Sequence, residues 1–271
     1  MTMHIAVLLA GVADPRKPLP KPVSGQWRDL PADPAISYKL SPFDEAALEI
    51  ALKLRDQDTA TRITAIVTDG AGDITLMRAI AALKPDEMHG LCPPATQRGN
   101  APWLARHVPA LLNHIQTRPD LMLIGREHGD LDDGMMAAYL GQAWQLPFAS
   151  HALQVQATSE GNWTLLRSGA HHDESMHLPS PALISISNDK SNRLRHPLMK
   201  NVALARQVKF VQTTPDAADP APAITLAEAT PPPPATRGAQ VCRMLTGDVQ
   251  AQATALAAYL RAPVATEAHH E

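Results

Sequence analysis

Hydrophobic positions change period along this chain, and the changes divide it into elements. Ile5-Ala6-Val7-Leu8-Leu9 is an unbroken apolar run, the pattern of a strand covered on both faces in a parallel sheet. From Phe43 the spacing turns helical, with Phe43, Ala47, Ile50, Ala51 and Leu54 predicting one buried face. Ser41 stands before that face as an N-cap, Pro42 suits the first helical position, and Asp44 completes a capping box. A second strand is expected over residues 63–67, closed by Asp69-Gly70, and Asp73 caps a helix reaching about Leu83. A weaker strand over residues 87–91 follows. Asn100 then caps a helix that places Leu104, His107, Val108, Leu111, Leu112 and Ile115 on one face. The next apolar run, residues 121–124, breaks at Gly125 and leads through an aspartate-rich loop into a helix of small and apolar residues. Strand and helix alternating in this rhythm predict a parallel sheet with right-handed crossovers.

After Phe148 the pattern alternates apolar and polar. Residues 152–156 and 163–166 predict a β-hairpin, and residues 182–186 a further buried strand. Between them a loop is expected to hold His171, His172 and His177. A basic segment, residues 190–200, runs into a short helix or turn ending near Arg206. Residues 213–238 are proline-rich, with four consecutive prolines at 231–234, and read as an extended arm. Beyond it Asp248 caps a lone helix with Val249, Leu256 and Leu260 along one stripe, and residues 265–271 are expected to lack order. The whole predicts an α/β fold: a parallel-core sheet of the adenine-nucleotide-binding, Rossmann-like type with an added β-hairpin and an extended C-terminal arm. The α/β domain takes residues 1–210, and the arm with its docking helix residues 211–264.

Composition narrows the function classes. The chain has 271 residues, 45% of them hydrophobic, with a net charge of −3. That balance gives no reason to expect nucleic acid or an anionic membrane as partner. No stretch approaches the length of a membrane span, and the run at residues 5–10 is too short for the apolar core of a signal peptide. Cys92 and Cys242 lie far apart in unrelated contexts, which suits a reducing cytoplasm. Cys242 reads as a buried, inert thiol in a strand-like run. His171, His172 and His177 with Asp173 and Glu174 match no settled zinc spacing, so no metal is expected. No Gly-x-Ser-x-Gly elbow or Walker A lysine loop is present, and no self-contained active site is expected.

The strongest chemical signal is the stretch 120–147. A strand that ends on glycine and passes through a loop into a helix is how parallel α/β proteins cradle nucleotides. The loop's carboxylates, Asp130, Asp132 and Asp133, would repel a phosphate unless they cap amides or meet ribose hydroxyls. Taken alone, the stretch points to a ligand loop without fixing the ligand.

Four segments carry a resemblance to a known family. Residues 40–49 resemble the Met-Asn-Pro-Phe-Asp-Glu segment of the β subunits of electron transfer flavoproteins. Residues 120–147 are similar, without a gap, to that family's signature loop. Residues 192–202 resemble its partner-recognition loop and the Pro-Asn-Ile-Met-Lys segment after it, and residues 231–237 with the closing helix resemble its C-terminal extension. The resemblance implies a heterodimeric electron carrier. Its α subunit holds most of a flavin adenine dinucleotide (FAD), and its β subunit buries an adenosine monophosphate (AMP), or a second FAD in electron-bifurcating members. Carried over residue by residue, the nucleotide would touch Leu8, Ser41, Pro42, Phe43, Asp69, Gly125, Arg126, Glu127, His128, Gly129, Asp130, Leu131, Asp132, Asp133, Gly134, Met135 and Met136. Phe43 would also approach the flavin of the α subunit. Partner recognition would fall on Ser191, Asn192, Arg193, Arg195 and His196. The implied partners are the α subunit, a flavin-dependent dehydrogenase as donor and a quinone oxidoreductase as acceptor.

The departures from the family shape a further expectation. Where the family has Asn-Gln-Thr-Gly, this chain has Gly134-Met135-Met136-Ala137, and methionine donates no hydrogen bond to a phosphate. Ser41 replaces an asparagine, Ala10 a lysine, and Ser191 the leucine that anchors partner dehydrogenases. A weakened or empty AMP site is therefore expected. The competing readings are a stand-alone adenine-nucleotide-binding protein of the universal-stress type and a bifurcating carrier with FAD in the β site. The arm with its docking helix favours a subunit over a stand-alone protein.

Overall fold

The apolar run at the start of the chain becomes the central strand, β1 (His4–Leu9), of the computed structural model, which describes residues 2–17, 37–94, 97, 99–129, 134–215 and 244–261. Its residues alternate between two cores. Ile5, Val7 and Leu9 join one cluster and Ala6 and Leu8 the other, all at most 1% exposed. Burying each such Leu or Ile side chain is worth about 1.5–3 kcal/mol, so a run apolar on both faces commits the strand to the middle of three layers.

The elements follow in chain order. A short antiparallel pair, β2 (Gly11–Ala13) and β3 (Tyr38–Leu40), leads into α1 (Pro42–Gln57). Then come β4 (Arg62–Val67), α2 (Ile74–Ala81), β5 (Glu87–Leu91), α3 (Ala101–His114), β6 (Leu121–Gly125) and α4 (Met136–Trp144). The remaining elements are β7 (Phe148–Ala157), β8 (Trp163–Ser168), β9 (Asp173–Leu178), β10 (Ala182–Ile186), α5 (Met199–Ala205), β11 (Val211–Thr213) and α6 (Val249–Arg261). Among the described residues the main sheet has the order β11-β5-β4-β1-β6-β10-β7-β8-β9. The seven strands from β11 to β7 pair in parallel, and β7, β8 and β9 form an antiparallel meander. Helices α1 and α2 cover one face, α3 and α4 the other.

The predicted caps are present. Asp73 Oδ1 accepts from the Thr75 and Leu76 amides, Asn100 Oδ1 from Trp103, and Asp248 Oδ1 from Ala251. Several expectations need correction. Helix α1 is not buried on one face only, because Ala46 to Leu52 are buried without interruption. The histidine loop is smaller than expected: residues 173–178 form β9, an added third strand, and His177 Nδ1 lies 3.0 Å from Thr164 Oγ1 across the ladder. Burial alternates along β9, but its half-buried face begins with Glu174, paired to Arg167, so the apolar half of the pattern is short in the sequence. The strand before the ligand loop does not break at Gly125 but includes it. Residues 211–213, placed in the arm, pair in parallel with β5 and add an edge strand. Cys242, residues 216–243 of the arm and the tail from 262 lie outside the described residues.

The chain divides into two units, Met1–Ala229 and Thr230–Glu271. In the second, no residue of α6 is buried, and Val249, Tyr259 and Leu260 are exposed. Among the described residues no helix is long and apolar enough to cross a membrane.

Candidate functional site

The sheet order locates the site. From β1 the chain moves outward on one side through β4 and β5, then returns to the other side of β1 with β6. Strand order thus reverses between β1 and β6. In open α/β sheets ligands bind outside the carboxyl ends of the strands at such a point.

Helix α1 starts at that crevice. Ser41 Oγ accepts from the Asp44 amide and caps the helix as expected. The Asp44 carboxylate does not close the reciprocal half of a capping box. It turns inward: Oδ2 accepts from the Ala10 amide at 3.1 Å, just past β1, and Oδ1 from the Gly125 amide at 3.2 Å, at the end of β6. Two strand-end donors outweigh the local cap because a fully buried carboxylate needs several hydrogen bonds. Gly125 is required by this approach, since a Cβ there would lie 2.6 Å from Asp44 Oδ1 and 2.9 Å from the Asp44 amide nitrogen.

His128 completes the arrangement. Its Nε2 lies 3.3 Å from Thr68 Oγ1, just past β4, and its Nδ1 lies 3.5 Å from Asp44 Oδ1, a charge contact longer than a good hydrogen bond. Asp44 is 0% exposed, and His128 and Thr68 are each 2% exposed. One carboxylate and one imidazole therefore tie together the ends of β1, β4 and β6 and the start of α1.

The other expected nucleotide contacts that the structure describes differ in placement. Leu8 is inside β1, paired with Ile66 and Ile124, with its side chain in the core. Pro42 is exposed and Phe43 half-buried. The Arg126 guanidinium lies 4.5 Å above the Phe43 ring and donates to Glu127 Oε1 at 2.6 Å. The Asp69 carbonyl accepts from the Gly11 amide at 2.6 Å, and Gly129, at φ +83°, approaches the Asp69 carboxylate. Gly134 and Met135 precede α4, whose first turn has no side-chain cap, and Met135 is exposed while Met136 is buried. Asp130, Leu131, Asp132 and Asp133 lie outside the described residues.

The residues expected to recognise a partner lie on a segment held from below. Asp189 Oδ1 accepts from the Ser191 amide and opens a single 3-10 turn. Asn192 is buried and donates to the Leu153 carbonyl at 2.6 Å, while Lys53 Nζ donates to the Ser191 carbonyl and to Asn192 Oδ1. Arg195 is clamped by α1: its Nε and Nη2 reach the buried Glu49 carboxylate, its amide donates to Glu49 Oε2, and its Nη1 reaches Asp56 at 2.7 Å. These partners hold its guanidinium firmly in the charged form. Ser191, Arg193 and His196 are exposed, as are Leu198 and Met199 just beyond. The structure thus separates anchors, Asn192 and Arg195, from outward-facing residues.

Sequence reasoning missed Thr68, Glu49 and the inward role of Asp44. A buried glutamate in the middle of an apolar helix was the available signal for Glu49, because such a charge demands a partner.

Fold and site together define a class: a parallel α/β domain with a switch point at the carboxyl edge of its sheet and an outward-facing segment anchored on α1. The electron transfer flavoprotein domain matches residues 32–218. The chain belongs to that family, as a divergent member resembling its β subunits. Two proteins named as mitochondrial electron transfer flavoprotein subunit beta, from Oryza sativa subsp. japonica and Oryza sativa subsp. indica, are each 25% identical to it over 186 residues, spanning 68% of this chain and 72% of the relative.

The family's flavin and nucleotide can be weighed against these residues. An aromatic ring under a guanidinium at the rim, Phe43 with Arg126, suits the edge of a flat redox cofactor held elsewhere. The crevice between β1 and β6 does not suit a nucleotide phosphate. The strand-end amides that would cradle it are already bonded to a carboxylate, and the side chains of Met135 and Met136 offer no donors.

Proposed function

We propose that this chain is the β subunit of a heterodimeric electron transfer flavoprotein. It receives electrons from a flavoprotein dehydrogenase through an FAD held mainly by an α partner, and delivers them to a respiratory-chain oxidoreductase. The observation that carries the reading is the family match over residues 32–218, which takes in α1, β6 with the loop after it, and the anchored segment. Exposed apolar side chains support a subunit that works with others: Leu198, Met199 and Leu204 in the first unit, and Val249, Tyr259 and Leu260 on α6 in the second.

When bound, the flavin supplies one- and two-electron transfer. The chain's own residues shape where it meets the protein. Phe43 and Arg126 present a flat aromatic and a cation at the crevice rim. Glu49 and Asp56 hold Arg195, so that Arg193 and His196 stand outward for a donor dehydrogenase. In this scheme the chain's own residues position and recognise.

The test is to isolate the full-length tagged chain from its own cells. A yellow complex with a second, flavin-binding chain and one FAD per pair is expected, with the flavin reduced by a co-purifying or added dehydrogenase. A colourless chain that stays alone when a flavin-binding α chain is supplied would contradict the proposal.

A further inference from the structure

We propose that this chain fills its own ligand crevice: the Asp44 carboxylate and the His128 ring occupy the switch point between β1 and β6, so the subunit holds no purine nucleotide or second flavin there. The inference rests on the family reading only for the ligand class, and not on the α partner or on electron transfer.

Three observations carry it. First, position: Ala10 and Gly125, the residues whose amides close β1 and β6, are buried and both donate to Asp44. A phosphate at those amides would have to displace a carboxylate or sit beside it. The two carry like charge, and the amides that would receive the phosphate are already spent on the carboxylate. Second, volume: the imidazole of His128 is enclosed, between Thr68 on the β4 side and Asp44 on the α1 side. A planar nitrogen heterocycle thus already lies at the switch point, between the residue that follows β4 and the start of α1. Third, donors: Ser41 Oγ is used by the α1 cap, and the start of α4 is flanked by methionines. At the start of α4 only backbone amides remain to meet a phosphate, with no side-chain cap beside them.

Carboxylate and ring together therefore perform a ligand's structural task, joining the ends of three strands and a helix from inside the chain. The Asp44–His128 pair is in this sense a built-in substitute for a bound heterocycle.

Two measurements test it on the full-length chain with whatever partner it carries. Heat release followed by chromatography should give only a small fraction of one equivalent of AMP or adenosine per chain, and no flavin beyond the partner's single FAD. In parallel, His128→Ala should lower the Tm by about 5 °C, and millimolar imidazole or adenosine should restore part of the loss while leaving the Tm of the unaltered protein unchanged. One equivalent of AMP, or of a second FAD, released from the unaltered protein overturns the proposal. So does a variant that neither imidazole nor adenosine restores, because His128 would then be packing alone. If the variant does not fold, the release measurement on the unaltered protein decides. A bound AMP would leave the electron-carrier reading standing, whereas a chain without an α partner would sink that reading and leave the filled crevice untouched.

Discussion

Two acidic residues on α1, five positions apart, are used in opposite ways. Asp44 at the helix start is spent inward, on backbone amides and a histidine, and closes a place where related folds open to a ligand. Glu49 is spent on Arg195, and through it on a segment that turns exposed side chains toward solvent. One buried charge ties strand ends together, and the other anchors an outward-facing segment. Burial of a carboxylate therefore says little about function until its partners are known. A carboxylate satisfied by backbone seals its surroundings, while one satisfied by an arginine organises a neighbouring surface.

The sharpest way to break this comparison is to remove the arginine. Arg195→Ala leaves Glu49 buried and uncompensated, and should cost about 3 kcal/mol in urea unfolding, with loss of productive encounter with the dehydrogenase. A cost below about 1 kcal/mol would mean that the segment is not anchored through Glu49. Next is Gly125→Ala, which drives a methyl group against the Asp44 carboxylate and α1 backbone. A loss of about 2 kcal/mol is expected by thermal denaturation, and an unchanged Tm would show that α1 does not approach β6 as described.

Much of the fold was legible because its signals are local. The caps at Ser41, Asp73, Asn100 and Asp248 each contact an amide within three residues, and the apolar run of β1 declares a strand with two covered faces. What escaped was set by distant partners. Asp44 read as a capping-box residue because Ser41 is three positions away, yet its real donors follow β1 and end β6. The Glu49–Arg195 bond spans 146 residues and the Thr68–His128 contact 60, and no periodicity announces either. Residues 211–213 looked like the start of the arm because a three-residue edge strand is too short to show a pattern.

Smaller effects sharpen the rim. Arg126→Gln removes the cation over Phe43 and should cost only about 0.5–1 kcal/mol of stability. It should also shift the reduction potential of the partner's flavin toward more negative values, and an unmoved potential would take Arg126 out of the flavin's surroundings. The smallest expected effect is on pH dependence. Burial holds His4, His89 and His151 below the ordinary value of 6.5, helped by Arg62 beside His4 and by Arg126 and Arg167 beside His151. A depressed folded pKa means that the unfolded chain takes up protons first. The stability these groups contribute is present above pH 6.5 and falls as the pH drops through their folded values. A Tm series from pH 7.5 down to about 5 should fall, and the slope should flatten in His4→Asn. A flat series would show that these rings are charged as readily in the folded chain as in the unfolded one.

The crevice is the point on which the contrast turns, and its contents can be counted. Heat-released cofactors from the native complex, separated and quantified together, should show one FAD for each copy of this chain and essentially no AMP. An AMP or a second FAD in equal number to the chain would mean that the space between β1 and β6 is open, and that Asp44 and His128 do not fill it.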